Sequence, residues 1–156
     1  TPWINTLESL LKRGVILILD YGFPFQEYYH PDRAMGTLMC HSKHQSSTEP
    51  LTLPAEQDIT AHVDFSAIAS AAKQAKLSLL GFTNQACFLM GNKLSREINQ
   101  LAKMPMSRAN EKQQQQAIFK LSAPHEMGEI VKAIALCKNL SSPLSGFEVK
   151  DHTHRL

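Results

Sequence analysis

The segment Gln57-Asp58-Ile59-Thr60-Ala61-His62-Val63-Asp64-Phe65 alternates polar and apolar residues. In an extended strand, side chains two positions apart share a face, so Asp58, Thr60, His62 and Asp64 would stand together. Two carboxylates, a hydroxyl and an imidazole on one face can hold a cationic group or move a proton. Asp64 has a second use, because it directly precedes an apolar helical pattern and can cap that helix. His30, His41, His44 and His62 crowd into positions 30 to 62, near Asp32, Asp58 and Asp64. Imidazole and carboxylate are metal ligands, but no H-x-x-x-H lies on a helix and no cysteine pair completes a set. We therefore expect no metal; these histidines should order a loop through hydrogen bonds or line a polar pocket. His125, His152 and His154 read as surface residues, the last two in a fraying tail.

A second cluster of chemistry is Asp20-Tyr21-Gly22, which ends the apolar run Val15-Ile16-Leu17-Ile18-Leu19. A carboxylate and a flexible glycine would then sit at the C-terminal edge of a strand, where open α/β sheets bind ligands. The common nucleophile and phosphate signatures are missing: there is no G-x-S-x-G, no G-x-x-x-x-G-K-[ST] and no G-x-G-x-x-G. Cys40, Cys87 and Cys137 are odd in number and include no C-x-x-C pair, so three free thiols in a reducing interior are expected.

Positioning these residues requires a scaffold, and its elements can be read along the chain. Thr1 and Pro2 suit the start of a helix, with Trp3, Ile4, Leu7, Leu10 and Leu11 forming its apolar stripe and Gly14 its stop. Val15–Leu19, apolar on both faces, reads as a central strand with parallel neighbours on both sides. Residues 23 to 57 show little periodicity, and four prolines punctuate them; their aromatics favour an ordered lid over a solvated linker. A helix follows, carrying Phe65, Ile68, Ala69, Ala72 and Ala75, then a strand over Leu77–Phe82. Helical patterns cover Asn84–Met90, Lys93–Lys103 and a stretch running to Leu121, and Pro124–Glu129 reads as a turn or one helical turn. Ile130–Leu136 is a third strand, and Gly146–Val149 is read as an edge strand. The order is α/β, with too few strands to complete a sheet.

Composition bounds the function classes. The chain has 156 residues, 16 basic and 14 acidic, with 43% hydrophobic and 19% charged residues. That is the balance of one globular domain, and the net charge of +2 is too small for a dedicated nucleic-acid binder. No apolar run approaches the roughly 20 residues of a membrane-spanning helix. The Thr1-Pro2 start fits either a mature chain or a piece of a longer one.

Several segments recur together in a familiar order: Ile18-Leu19-Asp20-Tyr21-Gly22, Tyr28-Tyr29-His30-Pro31-Asp32-Arg33, Gly36-Thr37-Leu38-Met39, Gln57–Phe65, and Met127-Gly128-Glu129 before the last strand. From Trp3 to about Leu140 the sequence resembles the MidA-like family of S-adenosylmethionine-dependent methyltransferases. That family includes the mitochondrial arginine methyltransferase that assists assembly of respiratory complex I. Two positions depart from the family pattern: Cys40 stands where many relatives carry a larger polar or basic residue, and Lys76 replaces the usual helix-ending glycine.

The resemblance implies a class I (Rossmann-like) methyltransferase sheet with strand order 3-2-1-4-5-7-6 and an antiparallel seventh strand. Val15–Leu19 would be strand five, Leu77–Phe82 strand six and Ile130–Leu136 strand seven. Residues 23–63 would form a substrate-side lid after strand five, and 84–122 a helical insertion before the last strand. The family's glycine-rich cofactor loop and ribose-binding acid precede strand five and have no counterpart here. Residues 1–156 would therefore be the C-terminal half of one methyltransferase domain, inactive alone, with the S-adenosylmethionine site mainly in the other half and no cofactor-binding residue in this one. Within that frame Asp58, His62 and Asp64 are the candidate catalytic residues. Asp20, Tyr21, Gly22, Tyr29, His30, Arg33 and Thr60 are the candidate substrate-binding residues. The implied substrate is a protein side chain such as arginine, on a respiratory-complex subunit or its bacterial equivalent. The implied setting is a bacterial cytoplasm or a mitochondrial matrix, with a homodimer expected and neither nucleic acid nor membrane as partner. The alternative is a non-catalytic protein-binding or assembly-factor module on a methyltransferase-like scaffold.

Overall fold

The computed structural model describes residues 1–43 and 45–156, so His44 lies outside the described residues. Helix α1 (Pro2–Leu10) opens with Pro2 in its first turn, and the Thr1 carbonyl accepts from the N–H groups of Ile4 and Asn5. The chain turns through Gly14 into β1 (Gly14–Phe23). Helix α2 (Phe25–Tyr28) and a 3₁₀ turn at Pro31–Arg33 follow. Three short strands come next, β2 (Met39–Ser42), β3 (Gln45–Ser47) and β4 (Asp58–Thr60), which pair in the order β3-β2-β4. The chain rejoins the main sheet at β5 (Val63–Asp64) and enters α3 (Phe65–Gln74) and β6 (Ser78–Asn84). Helices α4 (Gln85–Gly91), α5 (Leu94–Leu101), α6 (Arg108–Ser122) and α7 (Met127–Ile130) lead to β7 (Val131–Lys138).

The main sheet has the order β5-β1-β7-β6. β1 runs antiparallel to β7 from Gly14↔Lys138 to Tyr21↔Val131, and parallel to β5 only at Gly22↔Val63 and Phe23↔Asp64. The expectation of parallel neighbours on both sides of β1 is thus corrected. An apolar run reports burial of its faces and says nothing about the direction of the strand beside it. The run β1-β7-β6, with β7 antiparallel to both neighbours, is the arrangement implied above for strands five, seven and six.

Alternation sorts the core into two layers. Ile16, Ile18, Ile134, Leu136 and Phe82 point to one face, where they pack with Ile4 of α1 and Phe65, Ile68 and Ala72 of α3. Phe65 and Phe82 stack at 5.2 Å between ring centroids. Ala133 and Ala135 point to the other face and meet Phe147, Val15, Leu80 and Phe88. Gly81 is required there, since a Cβ would lie 2.3 Å from the Phe147 ring.

Three further expectations are corrected. Gly146 lies in a 3₁₀ turn, Ser145–Phe147, and not in an edge strand, because Phe147 folds inward to fill the space over Gly81. His152 is not in a fraying tail: its N–H donates to the Phe82 carbonyl at 2.6 Å, and Asp151 Oδ1 accepts from the Phe82 N–H at 3.1 Å. Gly14 starts β1 and is not the stop of α1, which ends at Leu10. At the end of α3, Lys76 adopts φ 61° and Leu77 N–H reaches back to the Ala72 carbonyl, a left-handed stop that glycine would make without strain.

Candidate functional site

A cavity of about 740 Å³ opens at the C-terminal end of β1. Asp20 and Tyr21 contribute its floor from the strand end. Thr37, Met39, His41 and Thr60 form the opposite wall, and Ala61 and His62 close the side toward the main sheet. The small sheet explains that wall. Met39 faces Thr60 and His41 faces Asp58 in antiparallel register, so these four side chains share one face. Cys40 and Ile59 take the other face, and Cys40 is buried there.

His62 is the most informative residue of the cavity. Its backbone N–H donates to Thr37 Oγ1 at 3.2 Å, which ties the strand break to the opposite wall. Its ring packs on Phe23 at 5.0 Å, and the Arg33 guanidinium carbon sits 4.1 Å from the centroid of the same Phe23 ring. Nδ1 is buried with no hydrogen-bond partner among the described residues, which is costly unless something else supplies one. Burial lowers the pKa of His62 from its ordinary 6.5, the Arg33 charge lowers it further, and Asp20 opposes both. The imidazole is therefore neutral at pH 7 and able to accept or relay a proton.

The sequence-derived site is brought together only in part. Asp20, Tyr21, Thr60 and His62 line the cavity. Asp58 stands on the same face of the small sheet as Thr60, outside the lining residues. The single face expected for Asp58, Thr60, His62 and Asp64 does not form, because the strand breaks at Ala61-His62 between two different sheets. Asp64 accepts from the Ala67 N–H at 2.9 Å as the cap of α3. Gly22 is buried in strand pairing, where a Cβ would lie 2.1 Å from the Val63 carbonyl oxygen. Tyr29 is exposed and stacks on Phe25 and Tyr28. His30 caps the 3₁₀ turn by accepting from the Asp32 N–H, and Arg33 donates to the Glu27 carbonyl. Arg33 thus acts on the cavity through Phe23 and does not line it. Thr37, Met39 and His41 complete the lining; the period-two match of Met39 and His41 with Thr60 was the signal that could have paired them. Among the described residues no group of three His, Cys, Asp or Glu side chains is placed to hold a metal.

Residues 1–83 match a family described as "Putative S-adenosyl-L-methionine-dependent methyltransferase". The chain belongs to that family. The matched stretch contains every residue of the cavity. Among solved structures, the chain is similar to a COG1565 superfamily member from Burkholderia thailandensis bound to S-adenosyl-homocysteine. The two share 40% identity over 99% of this chain and 40% of that chain, with a TM-score of 0.88. It is equally similar to a native COG1565 superfamily structure from the same organism, with 41% identity over 99% of this chain and 41% of that one, at a TM-score of 0.90. The chain therefore spans about two-fifths of the length of these structures. No curated protein matches it.

Proposed function

We propose that this chain is the substrate-side, C-terminal half of a MidA-like methyltransferase that transfers a methyl group from S-adenosylmethionine to a protein side chain such as arginine. The observation that carries the proposal is the cavity at the end of β1, lined by Asp20 and His62, in a chain of this family. The half-domain assignment is supported by the open side of β1: among the described residues, no strand pairs with Gly14–Tyr21 on the side away from β7. Leu17, Leu19 and Tyr21 are 44%, 44% and 45% exposed on that strand.

The residues lining the cavity fit the substrate side of such a site, with Asp20, His41 and His62 as its titratable polar side chains beside the Tyr21 phenol. Gly22, next to the lining residue Tyr21, is consumed by packing against the Val63 backbone. S-adenosylmethionine supplies an electrophilic methyl group when bound. This chain's own contribution is to orient and deprotonate the acceptor. Asp20 at the strand end and Asp58 at the rim offer carboxylates that a guanidinium can engage bidentately. The neutral His62 imidazole, on a residue that lines the cavity, is the group that would take a proton from the acceptor. The protein partner would be a respiratory-complex subunit or its bacterial equivalent, met in a bacterial cytoplasm or a mitochondrial matrix.

Calorimetry on residues 1–156 alone should find no S-adenosylmethionine binding; micromolar affinity would overturn the half-domain assignment. The intact protein should transfer radiolabelled methyl groups to a protein acceptor, and Asp20→Asn and His62→Gln should each reduce transfer by at least tenfold. An intact protein that neither binds the cofactor nor labels any acceptor would favour the assembly-module alternative.

A further inference from the structure

Helix α2 has only four residues, too few to hold its own orientation, so its anchors decide where it lies. One anchor is the Phe25 N–H, which donates to Ser66 Oγ of α3 at 2.9 Å. The other comes from the segment 151–156. That segment is bolted to β6 by two bonds at one residue, Asp151 Oδ1 accepting from the Phe82 N–H and His152 N–H donating to the Phe82 carbonyl. Thr153 adds two donors to the same Asp151 oxygen, which keeps the clamp rigid. From this fixed base Arg155 reaches the Glu27 carboxylate on α2. The Glu27 backbone carbonyl in turn accepts from Arg33 Nη1, and Arg33 lies over the Phe23 ring that packs on His62.

We propose that Glu27 and Arg155 are positioning residues for the cavity: their ion pair holds α2 so that Arg33 stays on Phe23 and the Phe23–His62 wall keeps its shape. The pair itself is partly exposed, so its direct contribution to stability is small. Its effect on the site comes from geometry, because among the described residues it is the one side-chain hydrogen bond or ion pair between the segment 151–156 and α2. The functional meaning of this link rests on the cavity being the substrate site, while its physical content does not.

The charged and titratable groups around the His62 imidazole are Arg33, Asp20, Tyr21 and His41. Removing Arg33 from the Phe23 ring takes a positive charge away from His62, so its titration midpoint should rise. The test is the His62 titration in the intact protein labelled with ¹³C-histidine, with the resonance assigned by its loss in His62→Gln. Arg33→Ala should raise the midpoint most, and Arg155→Ala and Glu27→Gln should each raise it by part of that amount. The double variant Glu27→Arg with Arg155→Glu should return it toward the wild-type position. A long-range charge effect behaves differently: Arg155→Ala would raise the midpoint and Glu27→Gln would lower it. That opposite pair of shifts, or no shift in either variant, overturns the proposal. Should the shifts appear while His62→Gln still transfers methyl groups at the wild-type rate, the positioning role stands and the reading of the cavity as the substrate site fails.

Discussion

The main sheet and the connection between β1 and β5 are built on opposite economies of contact. In the sheet, β7 has seven consecutive buried residues, Val131–Cys137, and every strand neighbour adds apolar contact on both faces. In the connection, the strands β3 and β4 are exposed along their whole length. What holds the connection is a set of single polar bonds, including His62 N–H to Thr37, Gln57 to the Pro50 carbonyl and Arg33 to the Glu27 carbonyl. The comparison teaches where each kind of function can live. Each region holds one buried side-chain atom without a partner among the described residues, Thr83 Oγ1 in β6 and His62 Nδ1 in the connection, and only the second belongs to a residue that lines the cavity.

The sharpest way to break the comparison is to remove a core side chain. Phe65→Ala should cost about 3–5 kcal/mol in guanidinium unfolding, because Phe65 is fully buried against Phe82. A loss below about 1 kcal/mol would mean the α3 layer is not a fixed core. A smaller effect comes from the one charge buried in β7. Lys132 is 6% exposed and its Nζ donates to Glu129 Oε1 at 2.7 Å. Glu129→Ala should cost about 1–2 kcal/mol, less than for a wholly buried pair because the Glu129 side chain is half exposed. Adding Lys132→Met should recover most of that loss.

Acid should reach the two regions in different windows, and thermal melts against pH will separate them. Burial pushes the Glu129 pKa up, but the hydrogen bond and charge of Lys132 and the Asn84 hydrogen bond more than offset it, so the folded value lies below 4.5. Its stabilisation is therefore complete above pH 4.5 and is lost as the pH falls through the lowered folded value. His62 has the opposite charge and a lowered pKa, so the unfolded chain binds its proton first. Stability should begin to fall already as the pH drops below 6.5, and His62→Gln should remove that part of the slope. A slope unchanged in His62→Gln would place the histidine outside any packed wall.

Next in size is Asp64→Ala, expected to cost about 1 kcal/mol through loss of the α3 cap. Asp64→Ser should restore stability and leave methyl transfer intact; a large loss of transfer with stability retained would return Asp64 to the catalytic set. The smallest expected effect is Ile59→Ala in β4. Ile59 is 56% exposed, so urea unfolding should move by less than about 0.5 kcal/mol.

Much of the sheet was legible because apolar periodicity carries it. Val15–Leu19, Leu77–Phe82 and Ile130–Leu136 all fall within or overlap the observed strands β1, β6 and β7. The connection was legible only as ordered, since β2, β3 and β4 are three or four residues long, too short to show an apolar period. The candidate site was half legible. Asp20 and His62 stood out by residue type and by position next to strand ends, and Asp64 carried a capping signal beside its functional one. Thr37, Met39 and His41 could not be grouped with Thr60 without knowing that β2 pairs with β4, a contact between segments about twenty residues apart.

By itself the sequence determined which residues are apolar, at what period, and which polar residues lie beside them. That is enough to specify the α/β class and the buried strands, because burial and backbone periodicity are local properties; the methyltransferase family was legible only through the resemblance of particular motifs, Asp20-Tyr21-Gly22 and Gln57–Phe65 among them. Only the tertiary structure decided the pairing of β2 with β4, the split of the Asp58–Asp64 segment between two sheets, and the path from Arg155 through Glu27 and Arg33 to His62. Each of these depends on contacts between residues far apart in the chain. A side chain's type limits the partners it can take, and the packing of the whole molecule selects among them.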